Sequence, residues 1–223
     1  MCGRFTRKEN MQHLAELLGL KALPPLPPRY NIAPSQWVAC VRTNPETRQR
    51  ECKELQWGLV PSWAQDASIG NKLINARGET VAEKPAFRNA LKHQRCLVLA
   101  DGFYEWKREG NTKQPYYIRF KDHRLFAFAG LWERWEQNGT GPLESCALIT
   151  TGPNTMLEPI YTRMPVILAS QHYDEWLDPS LHTVERFKSL LRPFPSEEME
   201  AYPVRPIVNN PRNDQPECVM PIQ

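Results

Sequence analysis

The stretch CLVLADGFYEWK at residues 96–107 contains two short runs of apolar and aromatic residues, 96–100 and 103–107, separated by a turn-forming Asp-Gly pair. Runs of this length, bounded by turn residues, predict β-strands. The polar residues 109–111 are typical of a hairpin tip. Working outward in both directions, similar patterns predict further strands at 36–43, 52–57, 116–120, 125–132, 146–151 and 166–168.

Helical patterns lie at the edges of this strand-rich region. A capping box of Thr6 and Glu9 followed by apolar residues at helical spacing predicts a first helix that ends at Gly19. Further helices are predicted at 80–91, 171–177 and 184–191. Many short strands with peripheral helices are typical of an α+β protein. We therefore expect one β-rich domain over residues 1–223, a curved sheet or open barrel, with an irregular tail after about residue 210.

Charge and composition restrict the classes of function. The chain has 28 basic and 25 acidic residues and a net charge of +3, so any DNA site must be a local basic patch. It has no apolar core of a secretory signal, and no run approaches the ~20 apolar residues of a membrane span, so we expect a cytoplasmic protein that does not contact membranes. Six scattered cysteines and five histidines lack metal-ligand spacing. We expect no disulfide framework, no metal and no cofactor.

The first candidate for chemistry is Cys2, which becomes the N-terminal residue when Met1 is removed. Its α-amine and thiol then have ordinary pKa values of about 8 and about 8.5, so each is partly nucleophilic near neutral pH. An amine and a thiol on adjacent carbons can capture an aldehyde together, by forming an imine and then closing a thiazolidine ring. Taken alone, a cysteine at position 2 is better explained as an accident of the translation start.

Two polar segments supply further candidates. Asn75 and Arg77, in NKLINARGET at 71–80, would lie on one face of an extended strand, although a solvated lead-in to a helix fits the spacing as well. Glu105 lies between two aromatic residues, where a carboxyl group can have a raised pKa suited to proton transfer, or can simply face water. Tryptophans such as Trp63 are more often core residues than platforms for bases.

Six blocks together resemble one family, the SOS response-associated peptidase (SRAP) family, whose members shield abasic sites. They occur in the family's order, and the resemblance runs from residue 1 to about residue 210. The blocks are MCGRF at 1–5, YNIAP at 30–34, WGLVPSW at 57–63, INARGET at 74–80, DGFYEW at 101–106 and RMPVIL at 163–168.

The resemblance implies a role for each matching residue. Cys2 would form a thiazolidine with the aldehyde of an abasic deoxyribose in single-stranded DNA. Asn75 would hold the sugar, and Glu105 would move protons beside the Cys2 amine. Phosphates would bind to Arg4, Arg77 and Arg163, and bases or sugar would pack on Trp63 and Trp106. The family fold is a β-rich α+β domain with a positively charged cleft, and we expect a monomer.

One position departs from the family pattern. The family usually has His in the turn before Arg-Met-Pro, whereas this chain has Tyr161. A phenol, with an ordinary pKa of about 10, stays protonated near neutral pH and donates a hydrogen bond, whereas imidazole gives and takes protons there. Tyr161 can orient the sugar but is a poor proton shuttle, so sugar opening and reversal of the cross-link are the steps that this change affects.

Three alternatives remain open from the residues. An N-terminal-nucleophile amidotransferase also begins Met-Cys-Gly, but normally continues with Ile and uses an Asn-Gly oxyanion element. Here position 4 is Arg, and the Asn138-Gly139 pair lies in a polar loop. A peptidase that removes its own Met1 is the second alternative. The third is a module that binds single-stranded DNA without a covalent bond.

Overall fold

Short strands are the main regular elements of the described chain. A computed structural model describes residues 2–20, 23–136 and 141–222. The strands are β1 Phe5–Arg7, β2 Arg29–Ile32, β3 Trp37–Thr43, β4 Arg50–Trp57, β5 Asn75–Arg77, β6 Arg95–Ala100, β7 Gly102–Glu109, β8 Thr112–Phe120, β9 Phe126–Trp135, β10 Leu143–Thr151, β11 Met164–Pro165, β12 Ile167–Leu168 and β13 Met199–Pro203. The helices are α1 Gln12–Leu17, α2 Arg88–His93, α3 Tyr173–Leu177 and α4 Val184–Leu190.

One sheet closes into a barrel. Its strands pair in the order β10-β4-β3-β6-β9, and β9 pairs with β10 again. Only the β10–β4 contact in this ring is parallel. The Sγ atoms of Cys40 and Cys146 approach to 3.9 Å although β4 separates their strands, as expected on the concave face of a strongly curved sheet. The β-rich α+β class is therefore confirmed, and the barrel is closed, whereas a curved sheet or an open barrel was expected.

The second sheet carries the N-terminus. Its strands pair in the order β13-β8-β7-β1-β2. Strands β7 and β8 form the predicted hairpin, whose tip contains Gly110 at a φ of 61°. In the β1–β7 pair, Phe5 lies opposite Phe103, and the backbone N–H of Tyr104 donates to the Arg4 carbonyl over 3.0 Å. This pairing places the residues before β1 beside the middle of β7.

Two main apolar clusters hold the fold together. The first contains residues of both sheets and includes Cys2, and in it Phe5 packs edge-on against Trp57 with ring centroids 5.2 Å apart. The second lies between the barrel and the helices and includes Trp176 and Phe187. Because Cys2 belongs to the cluster between the sheets, its side chain is buried and its position depends on the packing of both sheets.

Local signals failed at two predicted helix starts. The capping box at Thr6 and Glu9 is wrong, because Thr6 lies in β1 and its hydroxyl donates to the buried Asp101 carboxylate. The predicted helix at 80–91 is regular only from Arg88, because Pro85 lacks an N–H and restricts the residue before it. The helices at 171–177 and 184–191 are confirmed, the first entered through the 3₁₀ turn Ser170–His172.

The chain after Asn209 is irregular as predicted, but it is packed. Within residues 210–222 the structure has one 3₁₀ turn, Pro216–Val219, and one isolated bridge from Pro221 to Val204. The Asp214 carboxylate accepts the backbone N–H of Asn31 over 2.8 Å. The tail therefore holds β2 in place. In the described ranges no helix is long and apolar enough to cross a membrane.

Candidate functional site at the N-terminal cysteine

Cys2 is the centre of the site. Its side chain is completely buried. Burial raises the pKa of its thiol well above the ordinary value, and the charge of Glu105 raises it further. A hydrogen bond from the backbone N–H of Arg4 opposes part of this rise. The Cys2 thiol is therefore held in its protonated form near neutral pH, next to a carboxyl group that can exchange protons with it.

Asn75 fixes the backbone of Cys2. It begins the short strand β5, which pairs in parallel with β10 so that Asn75 lies opposite Leu148. The Asn75 side-chain amide donates to the Cys2 carbonyl over 2.7 Å. Its other polar atom, Oδ1, is buried and has no hydrogen-bond partner among the described residues. Asn75 thus anchors Cys2 through its amide nitrogen and keeps a buried acceptor without a described partner.

Glu105 lies on β7, and its side chain is only 2% exposed. Burial raises the pKa of its carboxyl group to about 8. Its Oε1 atom has no hydrogen-bond partner among the described residues. The sequence was compatible with either a buried Glu105 carboxyl group or one facing water. In the structure β1 packs against β7, and the carboxyl group is buried. A carboxyl group with this pKa can donate and accept protons near neutral pH.

Tyr161 completes the group. Its backbone N–H donates to the Leu157 carbonyl over 2.8 Å, and the turn is anchored where the Asn154 side chain donates to the Phe194 carbonyl. The pKa of the Tyr161 phenol is raised by partial burial and then by the charge of Glu105. Electrostatic contact with Glu105 therefore links both Tyr161 and Cys2 to the same carboxyl group. The four residues expected to carry chemistry lie together.

The three arginines expected at phosphates differ in their contacts. Arg163 forms a bidentate ion pair with Glu79, with one N···O distance of 2.9 Å, and donates to the Thr150 carbonyl over 2.7 Å. Arg4 donates to the Asn31 side chain and to the Val208 carbonyl, each over 2.7 Å. Arg77 is exposed, shares a strand face with Asn75 and forms no ion pair with a described residue.

The two tryptophans lie in different grooves. The Trp106 indole N–H donates to the Asn209 side chain over 2.7 Å, and the Arg4 guanidinium lies 5.7 Å from its ring centroid. Trp63 is 59% exposed and lines a groove of about 420 Å³ that includes Lys72. The DNA-contact roles expected for the three arginines and the two tryptophans therefore stay predictions. The positively charged cleft also stays a prediction.

Sequence reasoning missed residues that position the site. Asn31 accepts from Arg4, and its amide donates to three carbonyls of the C-terminal segment, those of Val208, Asn210 and Asn213. Asp101 accepts from Thr6 and from the backbone N–H of Glu9. Both lie in the blocks that carry the family resemblance, but all of these partners except Arg4 are more than 90 residues away. No local pattern indicates such contacts.

Residues 2–20, 23–136 and 141–222 contain no cluster of three His, Cys, Asp or Glu side chains that could hold a metal ion. The Asn138-Gly139 pair considered for an amidotransferase lies outside these ranges.

The fold is a closed barrel with a second sheet, and the site is a buried N-terminal cysteine beside an acidic group. Together they define a class of β-rich proteins with an N-terminal thiol centre. The family model described as SOS response associated peptidase (SRAP) matches residues 1–211, and the chain belongs to this family.

The chain is also similar to individual proteins. It is 45% identical to the abasic site processing protein YoqW of Bacillus subtilis, over 98% of this chain and 99% of the relative. It is 35% identical to the abasic site processing protein HMCES of Gallus gallus, over 82% of this chain and 61% of the relative. A crystal structure of a Bacteroides thetaiotaomicron protein, 30% identical, superposes with a TM-score of 0.89 and covers all of both chains.

Proposed function

We propose that this protein processes abasic sites in single-stranded DNA by forming a covalent thiazolidine between Cys2 and the aldehyde of the open-chain sugar. The observation that carries the proposal is that Cys2 is buried within the electrostatic influence of Glu105 and accepts a hydrogen bond from Asn75 at its carbonyl. Relatives named as abasic site processing proteins, identical at 45% and 35% of positions, support the choice of substrate.

The chemistry begins when hydrolysis of the Met1–Cys2 peptide bond frees the Cys2 amine. The amine nitrogen adds to the aldehyde carbon, and loss of one water molecule gives an imine. The Cys2 sulfur then adds to the imine carbon, and the thiol proton ends on the ring nitrogen. Overall, one aldehyde and one aminothiol give one thiazolidine and one water, and no oxidant or metal is consumed.

Glu105 serves the proton transfers in this sequence. Its pKa of about 8 lets it protonate the departing hydroxyl of the carbinolamine and then take the proton of the thiol. Positioning belongs to Asn75 and Tyr161. The buried Oδ1 atom of Asn75 accepts a hydrogen bond from a sugar hydroxyl, which satisfies an atom that otherwise has no described partner. The phenol of Tyr161 donates to the sugar oxygen.

The DNA strand is held by charge and by stacking. Arg77, exposed beside Asn75, is placed to contact the phosphate next to the lesion. Arg163 and Arg4 reach phosphates by sharing or exchanging their present partners, and the exposed ring of Trp63 accepts an unpaired base. Unpaired bases are accessible only in a single strand, so we propose that the monomeric protein selects single-stranded DNA.

A denaturing gel tests the covalent step. Protein lacking Met1 is incubated with a labelled abasic oligonucleotide, and the adduct is separated from free strand under denaturation. We expect an adduct with the unaltered protein and none with Cys2→Ala. Cys52→Ala is the matched control, because Cys52 is a more accessible thiol without an adjacent amine. An adduct formed at full rate by Cys2→Ala would contradict the thiazolidine, and binding that never survives denaturation would favour a non-covalent module.

A second activity is supported by the same contact and by the family's description as a peptidase. We propose that the Cys2–Glu105 pair hydrolyses its own Met1–Cys2 bond, with water supplying the hydroxyl and the proton of the products. Expression in cells lacking methionine aminopeptidase activity toward Met-Cys separates this from host processing. Intact-mass measurement should find Met1 absent from the unaltered protein and retained in Glu105→Gln. Retention in both proteins would contradict self-cleavage.

A further inference from the structure

Two cations face each other on the β7–β8 hairpin outside the four-residue site. Arg108 on β7 lies directly opposite Lys113 on β8 in the strand register. Both side chains are exposed, and neither forms an ion pair with a described residue. Like charges opposite one another on one face of a sheet are destabilising. An arrangement of this kind is relieved when an anion binds between the two side chains.

The same strand face presents an aromatic surface. Side chains alternate along a strand, so Trp106 and Arg108 point to the same side of β7. Together with Lys113 and Tyr161 they line a groove of about 390 Å³. A neighbouring depression of about 300 Å³ is lined by Arg4, Trp106, Lys113 and Asn209. Tyr161, which the charge of Glu105 affects, therefore lines the same groove as the indole and the cation pair.

The indole is held in a fixed orientation before any ligand binds. Its N–H donates to the Asn209 side chain over 2.7 Å, and the Arg4 guanidinium, itself fixed by Asn31, lies 5.7 Å from the ring centroid. A preorganised aromatic face loses little conformational freedom when a base stacks on it. One carboxylate, that of Glu158, also lines the groove and disfavours an anion nearby.

We propose that the phosphate of a nucleotide flanking the lesion lies between Arg108 and Lys113 in a subsite of this groove, so that its base reaches Trp106, the ring on which the family resemblance already places a base or sugar. The inference rests on the proposed function and adds to it the path that the strand takes away from Cys2. It also assigns phosphate contacts to two side chains without ion-pair partners, whereas Arg4 and Arg163 are engaged within the chain.

Equilibrium binding to oligonucleotides with a central tetrahydrofuran residue, which cannot react with Cys2, tests the cation pair. Each phosphate contact contributes about −0.7 to the slope of log affinity against log salt concentration. One contact therefore strengthens binding at 0.1 M salt about fivefold relative to 1 M salt. Arg108→Gln/Lys113→Gln should therefore lose one phosphate contact and bind on the order of fivefold more weakly, with a slope shallower by roughly 0.7. Glu158→Gln should bind more tightly.

The control variant Lys92→Gln/Lys188→Gln removes the same charge from the exposed faces of α2 and α4 and should bind as the unaltered protein does. Oligonucleotides that end at the lesion on the 5′ or on the 3′ side localise the effect. The weakening should persist with one truncation and vanish with the other. An equal weakening with all oligonucleotides, an equal weakening in the control variant, or no weakening would overturn the subsite.

Stacking has its own test. Removing the base, but not the phosphate, of the flanking nucleotide on the affected side should weaken binding to the unaltered protein about fivefold or more. A change below about twofold would overturn the stacking on Trp106. The double variant should still form the covalent adduct at saturating concentration, because it keeps Cys2, Asn75 and Glu105. If the unaltered protein neither binds nor cross-links abasic strands, the proposed function fails and the subsite fails with it.

Discussion

Replacing Glu105 by glutamine should remove a pH-dependent loss of stability, so that the variant gains on the unaltered protein as the pH rises. The carboxyl group is 2% exposed, and its pKa is raised from 4.5 to about 8 because burial penalises its charged form. At about 1.4 kcal/mol per pKa unit, this rise corresponds to about 5 kcal/mol between the two protonation states. The folded protein therefore bears a cost whenever the carboxyl group must ionise.

The direction of the pH dependence follows from proton binding. Between pH 4.5 and about 8 the folded state keeps the Glu105 proton while the unfolded chain has lost it. This group's contribution to stability is fully present below pH 4.5 and is lost as the pH rises through about 8. Relative to Glu105→Gln, the unaltered protein should lose about 1.4 kcal/mol per pH unit in that window, or about 3 kcal/mol from pH 5 to pH 7.

Urea unfolding of both proteins at pH 5, 6, 7, 8 and 9 measures this difference. Placing an amide in the buried position can cost free energy, but that cost is nearly independent of pH and shifts every point equally. The slope is therefore the test, and it should flatten above pH 8. Glu109→Gln, an exposed position on the same strand, is the control for the substitution itself. Parallel curves for the unaltered protein and Glu105→Gln would refute a buried carboxyl group with a raised pKa.

Three further outcomes are expected. An uncleaved N-terminal extension should abolish the adduct, because the Cys2 nitrogen stays an amide. Intact mass verifies the extension, and a denaturing gel measures the adduct. Efficient cross-linking by the extended chain would contradict the mechanism. Tyr161→His should speed the release of DNA from preformed adduct roughly tenfold or more, since imidazole delivers protons near pH 7. A chase with excess unlabelled abasic strand measures the release rate. Equal rates for the variant and the unaltered protein would show that residue 161 has no role in proton transfer. Gly102→Ala should lower the free energy of unfolding in urea by about 1–3 kcal/mol, because the added Cβ would lie 2.1 Å from the Tyr117 hydroxyl oxygen. An unchanged midpoint of urea unfolding would contradict that close approach.

Local sequence pattern was sufficient for most of the strands. The eight strands expected from apolar and aromatic runs are all present, and most extend by one to four residues beyond their predicted bounds. Five short strands, β1, β2, β5, β11 and β13, were not among these eight, although an extended form was one of two interpretations of Asn75 and Arg77. Each has five residues or fewer, and β1 has only three. Their extended form is stabilised by the strands they pair with, so their own residues carry little signal.

The sequence by itself determined the family, the β-rich class and the residues placed around Cys2, because these depend on short motifs and on alternation within single strands. Only the tertiary structure decided the closure of the barrel, the burial that raises the pKa of Glu105, and the engagement of Arg4 and Arg163 within the chain. The cation pair of Arg108 and Lys113 likewise exists only through the register of β7 and β8. Barrel closure, the burial of Glu105 and the contacts of Arg4 depend on partners far apart in the chain, which no short window of sequence contains. Arg108 and Lys113 are near neighbours in sequence, but only the register of the hairpin sets them opposite each other.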